Sequence, residues 1–394
     1  MIPAADLLRR PTRIALLALT AGALAGCGSF WPWGSSRPKM PEPPAVAAPS
    51  TAGAAEKPPA ARTAWTLRIP AGGVGFAPVV ANGALFAAGR DGSVVRVDPA
   101  TGRIVWQVSA GKRLTAGPGS DGAVVVVAAR DGSLIAFDSA GKPAWTTTLG
   151  AEAVTVPSVG LGLVIVRTSD NRISAFESDT GKRRWSVSRQ LPPLVLRQTT
   201  AIAIAPGTAY AGLPGGRLLA VSLQSGVQLW ESAVSNPRGA NEIERIADVV
   251  GSPLVSGREI CAASYQGKLA CFDAPSGRGL WARELAGAAG IELDARLVSA
   301  VDDRGQVHAF SRGGTSVWRQ DKLARREPSA PLSVGAVLVL GDVQGYVYLL
   351  SRDDGSIVGR FATDGTAVVS PAALHERTAI VQTSGGTLHA VTID

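Results

Sequence analysis

The chain has 394 residues, 46 of them Gly and 26 Pro, with 46% apolar and 18% charged residues. That profile suits a globular core built from many short strands and turns, not from long helices. Three His, three Cys and two Met leave little for a multi-ligand metal site, and the net charge of +8 is scattered, not gathered into a nucleic-acid stripe.

At the N-terminus, Arg9, Arg10 and Arg13 precede an eleven-residue apolar stretch, residues 14–24. It is too short to span a bilayer and reads as a cleaved export signal. Small residues then lead into Cys27, and the pattern resembles the bacterial lipoprotein signal, in which that thiol is acylated before cleavage. The resemblance implies an outer-membrane destination, because Gly28 replaces the Asp that favours inner-membrane retention. Cleavage before Cys27 lowers the net charge to +6. Residues 28–61 hold eight Pro among Ala, Ser and Lys, with no apolar period. They read as an extended tether reaching roughly 35 Å as coil and roughly 100 Å when stretched. The expected organisation is a signal over residues 1–26, a lipidated tether over 27–61 and a folded domain over 62–394.

From residue 65 onward one pattern recurs eight times. A turn Gly is followed six residues later by Asp or a small polar residue, then by Gly, then by Trp. Gly92, Asp98, Gly102 and Trp106 form the clearest copy, and Gly132, Asp138, Gly141 and Trp145 the next. Further copies begin at Asn171, Gly216, Gly267, Gly305, Gly345 and Gly386; the Gly345 copy has Gly359 where Trp is expected. A second marker confirms the phase, since Pro78, Pro118, Pro157, Pro253 and Pro331 each lie 14 residues before a turn position. Turn positions fall 38 to 51 residues apart, the period of a propeller blade. Within a copy, apolar runs and Asp-Gly turns predict four short antiparallel strands.

The last copy lacks an outer strand, while residues 65–69 form an outer strand with no blade. Joining them completes an all-β, eight-bladed propeller and removes two open sheet edges. The repeat Trp residues are expected to pack on neighbouring blades, not to form a ligand-stacking array.

Little catalytic chemistry stands apart from this repeat. Residues 117–122 match a dinucleotide-binding glycine pattern, but a strand follows where a helix is required, so a hairpin is expected. Thr180-Gly181-Lys182 sits at a repeat turn without the upstream Gly of a phosphate loop. His308, His375 and His389 share no ligand spacing and read as sheet-surface histidines. Cys261 and Cys271 flank the Gln266-Gly267 turn in a chain bound for an oxidising compartment. Either a cross-strand disulfide or two buried thiols fits them; the thiols are preferred, and the strand register decides.

The repeat is stretched in two places. Trp to the next turn position takes 24 to 27 residues in five of seven cases, but 31 from Trp185 and 37 from Trp230. The additional residues belong to consecutive blade-to-blade connections on one face, where binding function is usually placed. The first carries Leu191, Leu194, Leu196 and Arg197; the second runs through Glu242, Glu244, Arg245 and Asp248.

With a lipoprotein signal, a Pro-rich tether and eight such repeats, the chain resembles the propeller lipoprotein of the outer-membrane β-barrel assembly machinery, within the quinoprotein-like propeller repeats. The residues that carry the likeness are 194–197, 242–248 and 341–348. The resemblance implies a non-catalytic scaffold with no cofactor, anchored by the lipid on Cys27 and facing the periplasm. It implies binding to the periplasmic repeat domains of the central barrel subunit, with nascent outer-membrane strands as a second candidate partner and no nucleic acid. Leu194, Leu196, Arg197 and Asp248 match family positions, with Glu242 and Arg245 in the same segment as Asp248. A second acidic residue expected two places after Asp248 is Val250 here. Two exposed leucines would supply an apolar anchor and Arg197 a bidentate pair with a carboxylate, while Asp248 would either pair with a partner cation or orient Arg197. The alternative is a quinone- and Ca²⁺-dependent dehydrogenase propeller, but that family's pattern includes adjacent Cys residues. A polysaccharide-binding propeller would need more exposed aromatics.

Overall fold

A computed structural model describes residues 42–46, 61–196 and 200–394. The expected signal, Cys27 and Arg197 lie outside these residues. The described chain forms eight four-stranded antiparallel sheets. Seven sheets are consecutive in sequence, blades 1 to 7, spanning residues 79–109, 114–148, 158–188, 203–233, 249–284, 287–320 and 332–362. Blade 8 takes three strands from residues 373–393 and its outer strand from Ala61–Arg68. That outer strand pairs antiparallel with Thr387–Ile393, with Trp65 opposite Ala390. The expected closure of the ring by the N-terminal strand is therefore what the chain adopts.

Strand order within a blade follows from burial. The second and third strands are apolar on both faces because a neighbouring blade covers each face. Val124–Ala129 is buried along its whole length, and Ser133–Asp138 nearly so. Outer strands alternate instead, as in Pro143–Thr148, where residues are exposed or half-buried. The Asp131-Gly132 turn between the inner strands is held by the Asp131 carboxylate, which accepts from the Ser133 amide at 3.0 Å, with Gly132 at φ 80°. Residues 117–120 belong to a strand and the chain returns at Val124, so the glycine pattern is a hairpin.

The Gly and Trp of the repeat are two halves of one contact between blades. Trp65 of blade 8 lies so close over Gly102 of blade 1 that a Cβ there would sit 2.6 Å from the indole. Its Nε1 donates to the Pro99 carbonyl at 2.9 Å. Trp106, Trp145, Trp185, Trp230, Trp281 and Trp318 repeat this on Gly141, Gly181, Gly226, Gly277, Gly314 and Gly355. Each also donates to a carbonyl in the next blade's outer turn. A β-bulge beside the Trp position recurs in every blade, including blade 7, where the residue is Gly359. The repeat Trp residues thus bind blade to blade, as expected.

Gly359 now has a physical reason. Its blade precedes blade 8, whose third and outer strands come from opposite chain ends and so share no turn for an indole to cover. A small pocket of about 150 Å³ lies there instead, lined by Gly359, Phe361, Arg62 and Val391 among others.

Register also settles the cysteines. The hairpin between Glu259–Ser264 and Lys268–Asp273 places Cys261 opposite Cys271, and the two form a disulfide. The preference for two free thiols is corrected. The connection is three residues long, with Gln266 at φ 48°, and that odd count centres the turn between the two cysteines.

Candidate partner-binding face

The two stretched connections run over residues 189–202 and 234–248, between blades 3 and 4 and between blades 4 and 5. One side chain ties them together. Asp248 is 6% exposed, and its carboxylate accepts from the Leu196 amide at 2.7 Å and from the Gly215 amide at 2.9 Å. These donors lie 52 and 33 residues away along the chain, in the first connection and in the turn of blade 4. Each oxygen therefore accepts a hydrogen bond from within the protein, and of the two expected roles, pairing with a partner cation or orienting Arg197, burial of the side chain suits an internal one better. Asp248 is a positioning residue. Behind it, burial pulls the Arg167 guanidinium below the usual arginine pKa, and the Asp248 charge opposes that fall.

The expectation for Leu196 is corrected. It is half-buried and packs against the core between blades 5 and 6, a cluster that includes Val250, itself 1% exposed. Val250 is therefore a core position, and the expected second carboxylate has no place on the surface there. Leu194 is 41% exposed, in keeping with the expectation, and Leu191, three residues earlier, is equally open.

In the second connection, residues 242–245 make a single turn capped from both sides. The Glu244 carboxylate accepts from the Ala240 amide and the Asn241 side chain, and the Glu244 amide donates to Asn241 Oδ1 at 3.0 Å. Arg245 Nε donates to the Gly239 carbonyl, and its Nη1 lies 3.6 Å from Glu242. Glu242 and Arg245 are both half-open to solvent, so their mutual attraction contributes little to stability and leaves both available. The turn holds Ile243 outward at 66% exposure. Sequence reasoning passed over Ile243; an apolar residue flanked by Glu242 and Glu244 within a stretched connection was the available signal.

Aspartate with both oxygens accepting cannot be replaced by its amide without loss, since an amide nitrogen offers no acceptor. Asp248→Asn should leave one buried amide unsatisfied and destabilise the protein by about 2 kcal/mol. Amide exchange at Leu196 should quicken at least tenfold. Unchanged exchange and an unchanged unfolding midpoint would remove Asp248 from this role.

A larger concave feature is a cavity of about 1110 Å³ among the inner strands, reaching from Gly75 through Gly251 and Gly290 to Ser370. Its charged lining mixes signs, with Glu292 and Asp302 beside Arg304 and Arg325. Burial pushes the Glu292 carboxyl up, against the Ser333 hydrogen bonds that hold it down. Of the histidines, His308 Nε2 contacts Asp302 Oδ2 at 2.8 Å and its ring stacks on Phe310, a structural placement at a sheet surface. The grouping of Glu259 with Cys261 and Cys271 has its two sulfurs bonded to each other.

Comparison with known proteins agrees with this architecture. Residues 90–313 and 303–394 match the family model described as outer membrane protein assembly factor BamB. A protein of that name from Bordetella pertussis is 43% identical over 330 residues, covering 83% of this chain and 86% of its own. Its counterpart from Burkholderia pseudomallei is 41% identical over 325 residues, covering 82% and 85%. The crystal structure of BamB from Moraxella catarrhalis superposes with a TM-score of 0.78 at 27% identity, covering 84% of this chain and all of that one. The chain belongs to the family of the outer membrane protein assembly factor BamB.

Proposed function

We propose that this protein is a non-catalytic scaffold in outer-membrane protein assembly, held to the membrane by a lipid on Cys27 and facing the periplasm. Its two long connections form one docking face for the periplasmic repeat domains of the central barrel subunit. The observation that carries this reading is the pairing of those connections through Asp248, which presents Leu191, Leu194 and Ile243 outward on one side of an otherwise regular ring. Apolar side chains rimmed by Glu242 and Arg245 make a small anchor with a polar border, the usual anatomy of a protein interface. Arg197 follows the first connection's Leu196 and supplies a cation for a partner carboxylate. Leu196 and Asp248 act from behind, by fixing the path of the connection. Family membership favours this reading over a quinone-dependent dehydrogenase.

Affinity for the purified periplasmic part of the barrel subunit tests it, measured beside thermal unfolding. Arg197→Ala should weaken binding by roughly 2 kcal/mol if the guanidinium is desolvated in the complex. Leu194→Ala and Ile243→Ala should each cost roughly 1 kcal/mol, and Arg103→Ala in a regular turn nothing measurable. Equal affinities across all four, with melting unchanged, would sink this assignment of the face.

A further inference from the structure

Part of the Pro-rich segment does not stand clear of the propeller. Pro43 and Pro44 are half-buried, and their carbonyls accept from Arg360 Nη1 at 3.0 and 2.9 Å. Arg360 projects from the outer strand of blade 7, Ile357–Ala362, and its guanidinium lies 5.6 Å from the centroid of the Tyr346 ring. That ring is itself fixed: the buried Arg326 guanidinium lies 5.5 Å from the same centroid and is paired with Asp342 at 2.7 Å. A chain of contacts therefore runs from a buried ion pair through Tyr346 to Arg360 and out to two proline carbonyls.

The chemistry suits this occupant. Consecutive prolines lack backbone donors and favour an extended form whose carbonyls point outward, unused by any internal hydrogen bond. A guanidinium held over an aromatic ring keeps its N–H edge free to reach two such carbonyls at once. The cost of ordering is small, because proline has little conformational freedom to lose.

We propose that residues 42–46 form an intramolecular latch, docked on blade 7 by Arg360 and Tyr346. The latch divides the segment between Cys27 and the first strand into two arms of fourteen residues each, 28–41 and 47–60. Only the first arm then separates a lipid on Cys27 from the folded domain. At ~3.1 Å per residue its reach is roughly 45 Å, less than half that of the whole segment. The docking stands on the contacts above; the consequence for reach rests on the lipid-anchor reading in the proposed function.

Spin labels test the docking without membrane or partner, so the result is independent of the proposed function. The full chain carrying Cys27→Ser, with Cys261 and Cys271 bonded to each other, is labelled at Ala45→Cys and Arg103→Cys, and the inter-label distance distribution is measured by pulsed electron resonance. One narrow distribution is expected. Arg360→Ala should broaden it at least twofold with no change in the melting temperature, and Arg360→Lys, which lacks the two-pronged donor, should fall between. A broad distribution in the parent protein would overturn the latch. So would a narrow one that Arg360→Ala leaves unchanged.

Discussion

Deleting residues 61–68 should destabilise the propeller by on the order of 5 kcal/mol or more and render much of it insoluble. Two losses combine. Trp65 is 9% exposed, lies over Gly102 and packs with Leu85, Val95 and Leu388, so blade 8 loses its grip on blade 1. Removing one buried Trp side chain alone costs about 3–5 kcal/mol. The deletion also bares Thr387–Ile393, which is buried over much of its length and becomes an unpaired edge open to intermolecular pairing. Trp65→Ala separates the two effects, since it should lower stability by the first amount while keeping the edge covered. Chemical unfolding and light scattering distinguish these outcomes. A deletion variant that stays monomeric with the parent's midpoint would rule out the role of this strand.

Asp342→Ala should be nearly as damaging, at about 3–5 kcal/mol, because it strips the carboxylate from a buried cation. Arg326 and Asp342 have side chains 1% and 0% exposed and meet at 2.7 Å. The same carboxylate accepts from the Tyr348 hydroxyl at 3.0 Å and from the amides of Gln344 and Tyr346, each at 2.9 Å. Alanine removes an acceptor from four donors at once. Asp342→Asn keeps one oxygen, so its midpoint in denaturant should fall between the two. Equal midpoints for Asp342→Ala and the parent would show that this cluster does not govern the stability of blade 7.

Most of the ring was legible because its markers have local causes. A Gly that must lie beneath an indole, and an indole that must reach the next blade, repeat at fixed spacing and so announce each blade. Even the absent Trp at Gly359 obeys the rule, once the chain ends are known to meet in the next sheet. The two long connections were legible as departures from that spacing. What each of their side chains does was not, because it depends on contacts far apart in sequence. Asp248 looks like a surface acid until Leu196 and Gly215 are brought to its oxygens. Leu196 looks like Leu194 until the local path turns it onto the core. The cysteine pair turned on one residue of turn length, a difference that composition does not register.

The seam between Ala61–Arg68 and Thr387–Ile393 also sets the order in which the protein can fold. Neighbouring strands within blades 1 to 7 are close in sequence, so those sheets assemble by short loop closures. Joining the two chain ends instead closes a loop of more than three hundred residues, at an entropic cost of roughly 5 kcal/mol by the logarithmic law for flexible chains. Pairing of such high contact order forms late, after the local sheets have drawn the ends together. The first of the described strands to be synthesised is thus among the last to settle. Until residue 393 is available the ring stays open, with the inner strands of its terminal blades uncovered.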